Sequence, residues 1–390
     1  MKILLRKTRL RLFILCSSVF LIMLGVGIIT PILPLYAESF NAPYFLVGFV
    51  ISAFGLARLI SDMPMGWLAD KWGRKLIMQI GMILFATSAL IAAYSINIYQ
   101  LILSRFIQGV GAAMLTTSAM AYIGDIAPIN ERGKYMGFYQ GSFFLGTATG
   151  PAIGGFLAEI GGFRAPFITL SILAFIAIIF TQFTVYECLK NNNEEKGYHT
   201  YFNEVIKMLR NKSLIVLYSV SVINFIMTAG IRNIAIPLFS VEVIHISKIE
   251  VGVILSIAAL TSFITIIWSG SALDKFGRKP ILVFGFVIAA LSCYIFTHAN
   301  TFFFLILAAL AFGFSSGMIQ PSQATIMIDK SNLKHRGLSV GLYRTFNDIG
   351  IIIGPILVGS LSDHFDLATP FIAVALLCLI ASLMSLALLS

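Results

Sequence analysis

The residues of this sequence best suited to chemistry are ionisable side chains that interrupt long apolar stretches. Two pairs have members four positions apart, and two further arginines stand singly. A charged side chain at the middle of a bilayer costs about 2.5–3.5 kcal/mol on insertion scales, so such groups usually face protein or water. The six residues are Arg58, Asp62, Arg105, Arg232, Arg344 and Asp348.

Proton binding is the chemistry that the two pairs could perform. Residues four apart share one face of a helix, so Arg58 can pair with Asp62, and Arg344 with Asp348. A proton taken up by Asp62 or Asp348 would weaken any ion pair that the carboxylate makes. Two static pairs, each within its own helix, are the alternative interpretation.

A membrane domain must position these residues. The chain has 390 residues, of which 58% are hydrophobic and 11% are charged, whereas about a quarter of an ordinary soluble domain is charged. A water-soluble globule is excluded, because its surface needs charged residues for solvation. A spanning helix takes about 20 apolar residues, so this length suits roughly a dozen spans.

Runs of apolar residues predict an all-α membrane protein with twelve spans. The spans lie near 12–36, 43–65, 76–96, 99–124, 135–158, 164–186, 213–240, 249–271, 280–298, 302–327, 338–361 and 367–388. They form two six-helix bundles, 1–186 and 213–390, joined by a polar linker, 187–212. Apolar residues at helical spacing within the linker predict an amphipathic helix on the cytoplasmic membrane surface. A linker helix without membrane contact is the alternative.

Basic residues predict the orientation. Of the 27 Lys and Arg residues, 21 lie at the N-terminus or in alternate loops on one side. The positive-inside rule then places both termini in the cytoplasm of a multi-pass protein of the inner (plasma) membrane. The net charge of +10 is therefore a topology signal, and a nucleic-acid interface, which needs a basic face on a soluble domain, is not expected.

The two halves of the chain repeat each other at a constant offset of 204 residues. Residues 66–75, GWLADKWGRK, recur as residues 270–279, GSALDKFGRK. The same offset relates Asp125 to Asp329 and Gly150-Pro151 to Gly354-Pro355. Parallel repeats of six spans leave a seam between halves, and rocking of the halves can open a site on that seam to either side.

These motifs carry a family resemblance over essentially the whole chain. Residues 66–75 resemble the signature between the second and third helices of the major facilitator superfamily, and residues 105–113, RFIQGVGAA, resemble its fourth-helix motif. The glycines of the fifth span, with Pro151, resemble the motif of the drug/proton antiporter branch. Its residues are Gly146, Gly150, Pro151, Gly154 and Gly155.

The resemblance implies a twelve-helix transporter with a central cavity, working by alternating access. It would export small lipophilic or amphiphilic compounds in exchange for protons, as in multidrug efflux and antibiotic resistance. A metabolite or sugar transporter of the same fold, working by symport or uniport, is the alternative. The expected partners are a small-molecule substrate, protons and the lipid bilayer. We expect a monomer that uses the proton gradient and no cofactor.

The resemblance also assigns a charge network that locks the cytoplasmic side. Physically, a carboxylate can cap a helix N-terminus, and a cation can pair with an acid or a helix C-terminus. The first copy comprises Asp70, Gly73, Arg74, Asp125 and Arg132, and the second Asp274, Gly277, Arg278, Asp329 and Arg336. The alternative is that basic turns only anchor the inside face. In the family's fold, Arg58 could also reach Asp348, and Asp62 could reach Arg344, as an ionic inner gate.

The first, fourth, seventh and tenth helices line the cavity in the family. This implies cavity positions for Arg105, Gln108, Asn224, Arg232, Gln320 and Gln323. The first span contains no carboxylate, unlike many drug antiporters, and two cavity arginines would favour an anionic or amphiphilic substrate. An arginine that orients helices or backbone carbonyls is the alternative for Arg105.

The fifth-span motif has a physical interpretation of its own. Glycines at four-residue steps permit close helix contact, and Pro151 bends the helix by removing a backbone hydrogen bond. This suits an interface between rocking halves, and plain packing without a role in coupling is the alternative.

An enzyme is not expected. The five histidines are far apart, and we find no nucleophile with its base, no nucleotide-binding loop and no metal-ligand spacing among the four cysteines.

Overall fold

The computed structural model describes residues 2–128, 131–184, 208, 210–330 and 336–388. The described residues are helical, with short turns, and include twelve helices long and apolar enough to cross a membrane. The expected all-α fold with twelve spans is confirmed. The predicted amphipathic helix of the linker lies almost wholly outside the described residues.

The first six spans follow one another through short connections. They are Lys2–Ile29, Tyr44–Trp72, Arg74–Ala93, Ile98–Ile126, Arg132–Gly161 and Arg164–Thr184. The first span ends earlier than the apolar run suggests, because a turn at 30–32 separates it from a short helix, Leu33–Glu38. Several other spans are longer than predicted, because helical hydrogen bonding continues into polar residues beyond the apolar run.

The last six spans repeat this arrangement. The seventh consists of an α-helix, Lys212–Ile226, a π-helical segment, Met227–Ala235, and a further α-helix, Ile236–Glu242. The eighth to twelfth are Lys248–Phe276, Arg278–Thr297, Phe302–Lys330, Arg336–His364 and Thr369–Leu388. The π-helical segment has no counterpart in the predictions above.

The sequence explains where helices begin and turn. Asn97 caps the fourth span by accepting a hydrogen bond from the Gln100 N–H at 2.9 Å, and Asn211 accepts bonds at the start of the seventh. The tight turns before the third and ninth spans contain Gly73 at φ 102° and Gly277 at φ 87°. Both angles are in the region that favours glycine, as expected for Gly73 from its motif.

The chain divides into two compact units. The first comprises 1–42, 53–191 and 247–253, and the second comprises 43–52, 192–246 and 254–390. In the first unit the first span packs against the fifth and sixth, and the third packs against the fourth and sixth. In the second unit the seventh span packs against the eleventh, and the ninth against the tenth and twelfth. The second and eighth spans each begin in one unit and end in the other.

Large apolar side chains remain exposed on the outside of both units. Phe183 is 79% exposed, Phe303 69% and Ile267 67%. Water would disfavour such a surface, whereas lipid tails solvate it.

Candidate functional site

The turn after the second span holds a compact charge cluster in the first unit. Arg74 forms ion pairs with Asp70, at 3.2 Å, and with Asp125, and it donates a hydrogen bond to the Ala121 carbonyl at 2.7 Å. The Arg74 side chain is only 14% exposed and Asp125 18%. The structure thus brings together three of the predicted gate residues from the second, third and fourth spans.

The second copy of this cluster has diverged. Arg278 pairs with Asp329 at 2.9 Å, but these side chains are 43% and 45% exposed, and Asp274 is exposed. A pair in that setting is screened by water and contributes less than a half-buried one. The side chains of the predicted partners Arg132 and Arg336 lie outside the described residues, although a helix begins at each.

The intramembrane pairs lie in different units. Arg58 and Asp62 are 4.0 Å apart in the first unit, each about a quarter exposed. In the second unit Asp348 is 3% exposed, whereas Arg344 is exposed. The cross-pairing of Arg58 with Asp348 and of Asp62 with Arg344 stays a prediction.

Arg105 and Gln108 form a buried polar cluster in the fourth span. Arg105 is 6% exposed and Gln108 2%, and the guanidinium donates a hydrogen bond to the Gln108 side-chain oxygen. The guanidinium also lies 4.8 Å from the centre of the Phe54 ring, a cation–π distance. Within the described part of the chain, Nε of Arg105 and Nε2 of Gln108 have no hydrogen-bond partner. The cluster therefore combines an aromatic face with unused donors.

A neutral polar cluster occupies the second unit. The fully buried Asn224 donates to the Gln323 side-chain oxygen at 3.3 Å, and the Tyr343 hydroxyl donates to the same oxygen at 3.4 Å. Ser221 bonds to Asn347 next to them. Among the described residues, Oδ1 of Asn224 and Nε2 of Gln323 lack a partner.

Two other predicted cavity residues occupy different settings. Arg232 lies in the π-helical segment and donates from Nε to the Asn233 side-chain oxygen at 3.2 Å. Gln320 is half-buried on the tenth span. π-Helical turns often occur at functional sites, which gives Arg232 a second reason for interest.

Sequence reasoning missed Phe54, Tyr343, Ser221 and Asn347. A search for charged residues alone passes over such groups. A search for uncharged polar residues inside spans would have found Asn347, which adjoins Asp348.

The fifth-span glycines make close helix contacts on two faces. A Cβ added to Gly146, Gly150 or Gly154 would collide with the backbone of the first span, around Phe20, Gly27 and Ile28 respectively. On another face a Cβ at Gly155 would meet the carbonyl of Lys248, at the start of the eighth span. The predicted close packing is present, while its role in coupling stays a prediction.

An apolar cavity of about 740 Å³ lies between the first and fifth spans. Its walls include Phe13, Cys16 and Phe20 on the first span, and Tyr135 and Phe138 on the fifth. It is lined by none of the predicted cavity residues. Its volume is within the usual range for sites that bind drug-sized molecules.

Comparison with known proteins identifies the family. The profile of the Major Facilitator Superfamily matches residues 15–232 and 220–390. The chain belongs to this superfamily. As a member of the major facilitator superfamily, the protein is a multi-pass membrane transporter and not an enzyme.

Sequence matches to individual relatives cover nearly the whole chain. Multidrug resistance protein 2 of Bacillus subtilis is 26% identical over 363 residues, 92% of this chain and 90% of that protein. Quinolone resistance protein NorA of Staphylococcus aureus is 25% identical over 356 residues, 90% of each. The crystal structure of the nucleoside transporter NupG matches with a TM-score of 0.77 at 16% identity, covering 97% of this chain and 98% of that one. This structural likeness concerns the fold alone.

Proposed function

We propose that this superfamily member exports small lipophilic or amphiphilic compounds in exchange for protons, as a drug/proton antiporter. The observation that carries the proposal is the buried cluster of Arg105, Gln108 and Phe54. Its ring accepts apolar or aromatic groups, and its unused N–H donors suit a ligand oxygen or an anionic group. Two relatives named for drug resistance support export.

The composition of the two polar clusters supports an amphiphilic substrate. One arginine among uncharged groups favours a ligand with a single acceptor or anionic end, and the apolar surroundings favour a lipophilic body. We propose that Arg105, Gln108, Asn224, Arg232, Gln320 and Gln323 contact it. No carboxylate lies in the described first span, so a purely cationic substrate finds no partner there.

The intramembrane carboxylates Asp62 and Asp348 are the proposed proton-binding groups. We propose that protonation of Asp62 or Asp348 weakens the cross-pairs of the inner gate, Asp62 with Arg344 and Asp348 with Arg58, and that this opens the gate. Asp348 is the stronger candidate, because it is 3% exposed, whereas Asp62 is about a quarter exposed. Asp348→Asn should abolish proton-driven export while substrate binding persists. Normal antiport in that variant would exclude this role.

The charge cluster around Arg74 is proposed as the lock of the cytoplasmic side. This rests on an orientation with both termini in the cytoplasm of a plasma-membrane protein. Reporter fusions after Trp72 and after Tyr94 test it, since the two positions should report opposite sides of the membrane. We propose that the transporter acts as a monomer.

Dye transport in inverted vesicles tests the export proposal. With an imposed pH gradient, acidic inside, the wild-type protein should accumulate an amphiphilic dye, and a protonophore should collapse the uptake. Vesicles with Arg105→Gln should show a raised KM with an anionic or acceptor-bearing dye. Uptake that ignores the protonophore would refute antiport.

A second candidate is a metabolite transporter that works by symport or uniport. The neutral cluster of Asn224, Gln323 and Tyr343 favours it, because amides and phenols suit hydroxyl-rich ligands. The nucleoside transporter NupG also shares the fold. Protein-dependent uptake of labelled sugars or nucleosides into right-side-out vesicles, with no dye export, would support this candidate over the first.

A further inference from the structure

The start of the second span is capped by a residue far away in the sequence. Both oxygens of the Asp363 carboxylate accept hydrogen bonds there, one from the Tyr44 N–H and one from the Phe45 N–H, each at 2.8 Å. The first N–H groups of a helix have no partner inside the helix and form the positive end of its dipole. An anion that accepts two of them is therefore a strong cap. All three residues belong to the second compact unit.

A second carboxylate holds the same helix start. The Tyr44 hydroxyl donates to Oε2 of Glu242, the last residue of the seventh span, at 2.5 Å. Close backbone packing completes the joint. A Cβ at Gly48 would collide with the Pro355 carbonyl, and one at Gly359 would collide with the Tyr44 carbonyl. The second span is thus tied at its start to the seventh and the eleventh.

The internal repeat shows which part of this joint is special. At the offset of 204, Lys248 corresponds to Tyr44, and Glu159 to Asp363. The glycine packing recurs, because Gly155 meets the Lys248 carbonyl as Gly359 meets that of Tyr44. The cap does not recur, since among the described residues no hydrogen bond joins Glu159 to the start of the eighth span, which is capped locally.

The local cap of the eighth span explains the difference. Glu250 accepts hydrogen bonds from the N–H and the hydroxyl of Ser247, both at 2.8 Å, and its own N–H donates to the Ser247 hydroxyl. This is a capping box. In the second span the corresponding positions are Pro43 and Leu46, which have no side chain able to cap. The second span therefore depends on Asp363 for what the eighth span supplies itself.

We propose that Asp363 is a positioning residue for the transport cycle, which holds the outer end of the second span in place whenever the outer side is closed. The inference rests on the alternating access and orientation of the proposed function. Tyr44 belongs to the six-helix half 1–186, whereas Glu242 and Asp363 belong to 213–390, so outer opening by rocking of the halves would break the two Asp363 bonds and the bond to Glu242. Weakening them should raise the outward-open population, without any change in the residues proposed to contact substrate.

Cysteine labelling at position 52 tests the proposal. Ser52 is 1% exposed and donates to the Ile352 carbonyl at 2.6 Å, about two turns beyond the capped end. Ser52→Cys, with the four native cysteines replaced by serine, is treated with a membrane-impermeant maleimide from the outside, in the absence of substrate. Adding Asp363→Asn should raise the labelling rate about fivefold, since it removes one of the two accepting oxygens and the negative charge at the helix start.

Glu159→Gln is the matched control, because it removes the corresponding carboxylate from the other copy of the repeat. It should leave the labelling rate unchanged. Tyr44→Phe, which removes the hydroxyl bond to Glu242 and keeps the ring, should raise the rate about twofold to threefold. Asp363→Glu, which keeps the carboxylate and displaces it by one methylene, should give an intermediate rate. It provides the test of Asp363 if Asp363→Asn does not yield folded protein.

An unchanged rate in folded Asp363→Asn, or an equal rise in Glu159→Gln, would overturn the role of Asp363. No rise in Tyr44→Phe would overturn the part played by the bond to Glu242. These outcomes are separable from failure of the proposed export. If wild-type vesicles transport no dye while the labelling follows the expected order, the export proposal fails and the positioning role stands. If dye export is normal while Asp363→Asn leaves labelling unchanged, only the positioning role fails.

Discussion

Arg74→Gln should destabilise the protein far more than the same change at Arg278, its counterpart in the repeat. Arg74 joins Asp70, Asp125 and the Ala121 carbonyl, and the Arg74 and Asp125 side chains are 14% and 18% exposed. Removing the guanidinium leaves the Asp125 carboxylate half-buried without its cation. Arg278 and Asp329, at 43% and 45% exposure, remain solvated when separated.

The magnitudes follow from burial. Breaking a buried ion pair costs about 3–5 kcal/mol, and breaking an exposed one about 0.2–1 kcal/mol. The Arg74 cluster lies between these limits and nearer the first, so we expect about 2–3 kcal/mol for Arg74→Gln and under about 1 kcal/mol for Arg278→Gln. For a unit of about 200 residues, these losses correspond to shifts of about 5–10 °C and 1–3 °C in Tm.

Thermal unfolding of the two purified variants in the same detergent measures both Tm shifts. A double-mutant cycle of Arg74→Gln with Asp125→Asn isolates the pair, and we expect a coupling energy of about 1–2 kcal/mol. Equal Tm shifts for the two arginine variants would refute the argument from burial. Strict additivity in the cycle would show that Arg74 acts through Ala121 or Asp70 instead of Asp125.

Three further expectations follow from single contacts. Gly154→Ala should lower Tm by several degrees because its Cβ would collide with the Ile28 carbonyl, whereas Gly133→Ala, with open space around it, should not lower Tm. Asp366 accepts hydrogen bonds from the Thr369 hydroxyl and N–H and from the Ala368 N–H, which hold its pKa below the usual value. The stabilisation from the charged Asp366 is therefore present above about pH 4 and is lost as the pH falls through the lowered pKa. Asp366→Ala should reduce the free energy of unfolding by about 1 kcal/mol at pH 7 and by almost nothing at a pH below that pKa. Unfolding experiments at the two pH values measure the difference. Arg105→Lys keeps the charge but not the planar donors, so dye-transport kinetics should show a raised KM for acceptor-bearing dyes at unchanged expression.

The number and type of helices could be predicted because twenty-residue apolar runs have one solution in a bilayer, in which the helix satisfies its own backbone. The tight turn at Gly73 could be predicted because a glycine between two spans permits the positive φ that other residues rarely adopt. The π-helical segment could not, because it depends on a hydrogen-bond register that apolar spacing does not encode. The same holds for the bond between Ser221 and Asn347, which are 126 positions apart.

Within the site, sequence identified Asp70, Arg74 and Asp125 as one cluster through the family motif, and the structure brings them together. The strength of these ion pairs could not be predicted, because the two copies of the motif share residue types and differ in burial. The Asp363 cap left only a negative signal in the sequence, the absence of a capping pair at Pro43 and Leu46. Its partner becomes visible only when the eleventh span is folded beside the second.

The two repeats differ most in how the second span and its counterpart, the eighth span, are held at their ends. The second span is held at its end by Asp70 and Arg74, and at its start by Asp363 and Glu242 through Tyr44. Its counterpart, the eighth span, caps itself and ends near a solvated ion pair. A helix with charged ties at both ends can be released at either end by local changes in those ties. The second span, which begins in one compact unit and ends in the other, is therefore the element in which the loss of a single ion pair or cap should have the largest effect.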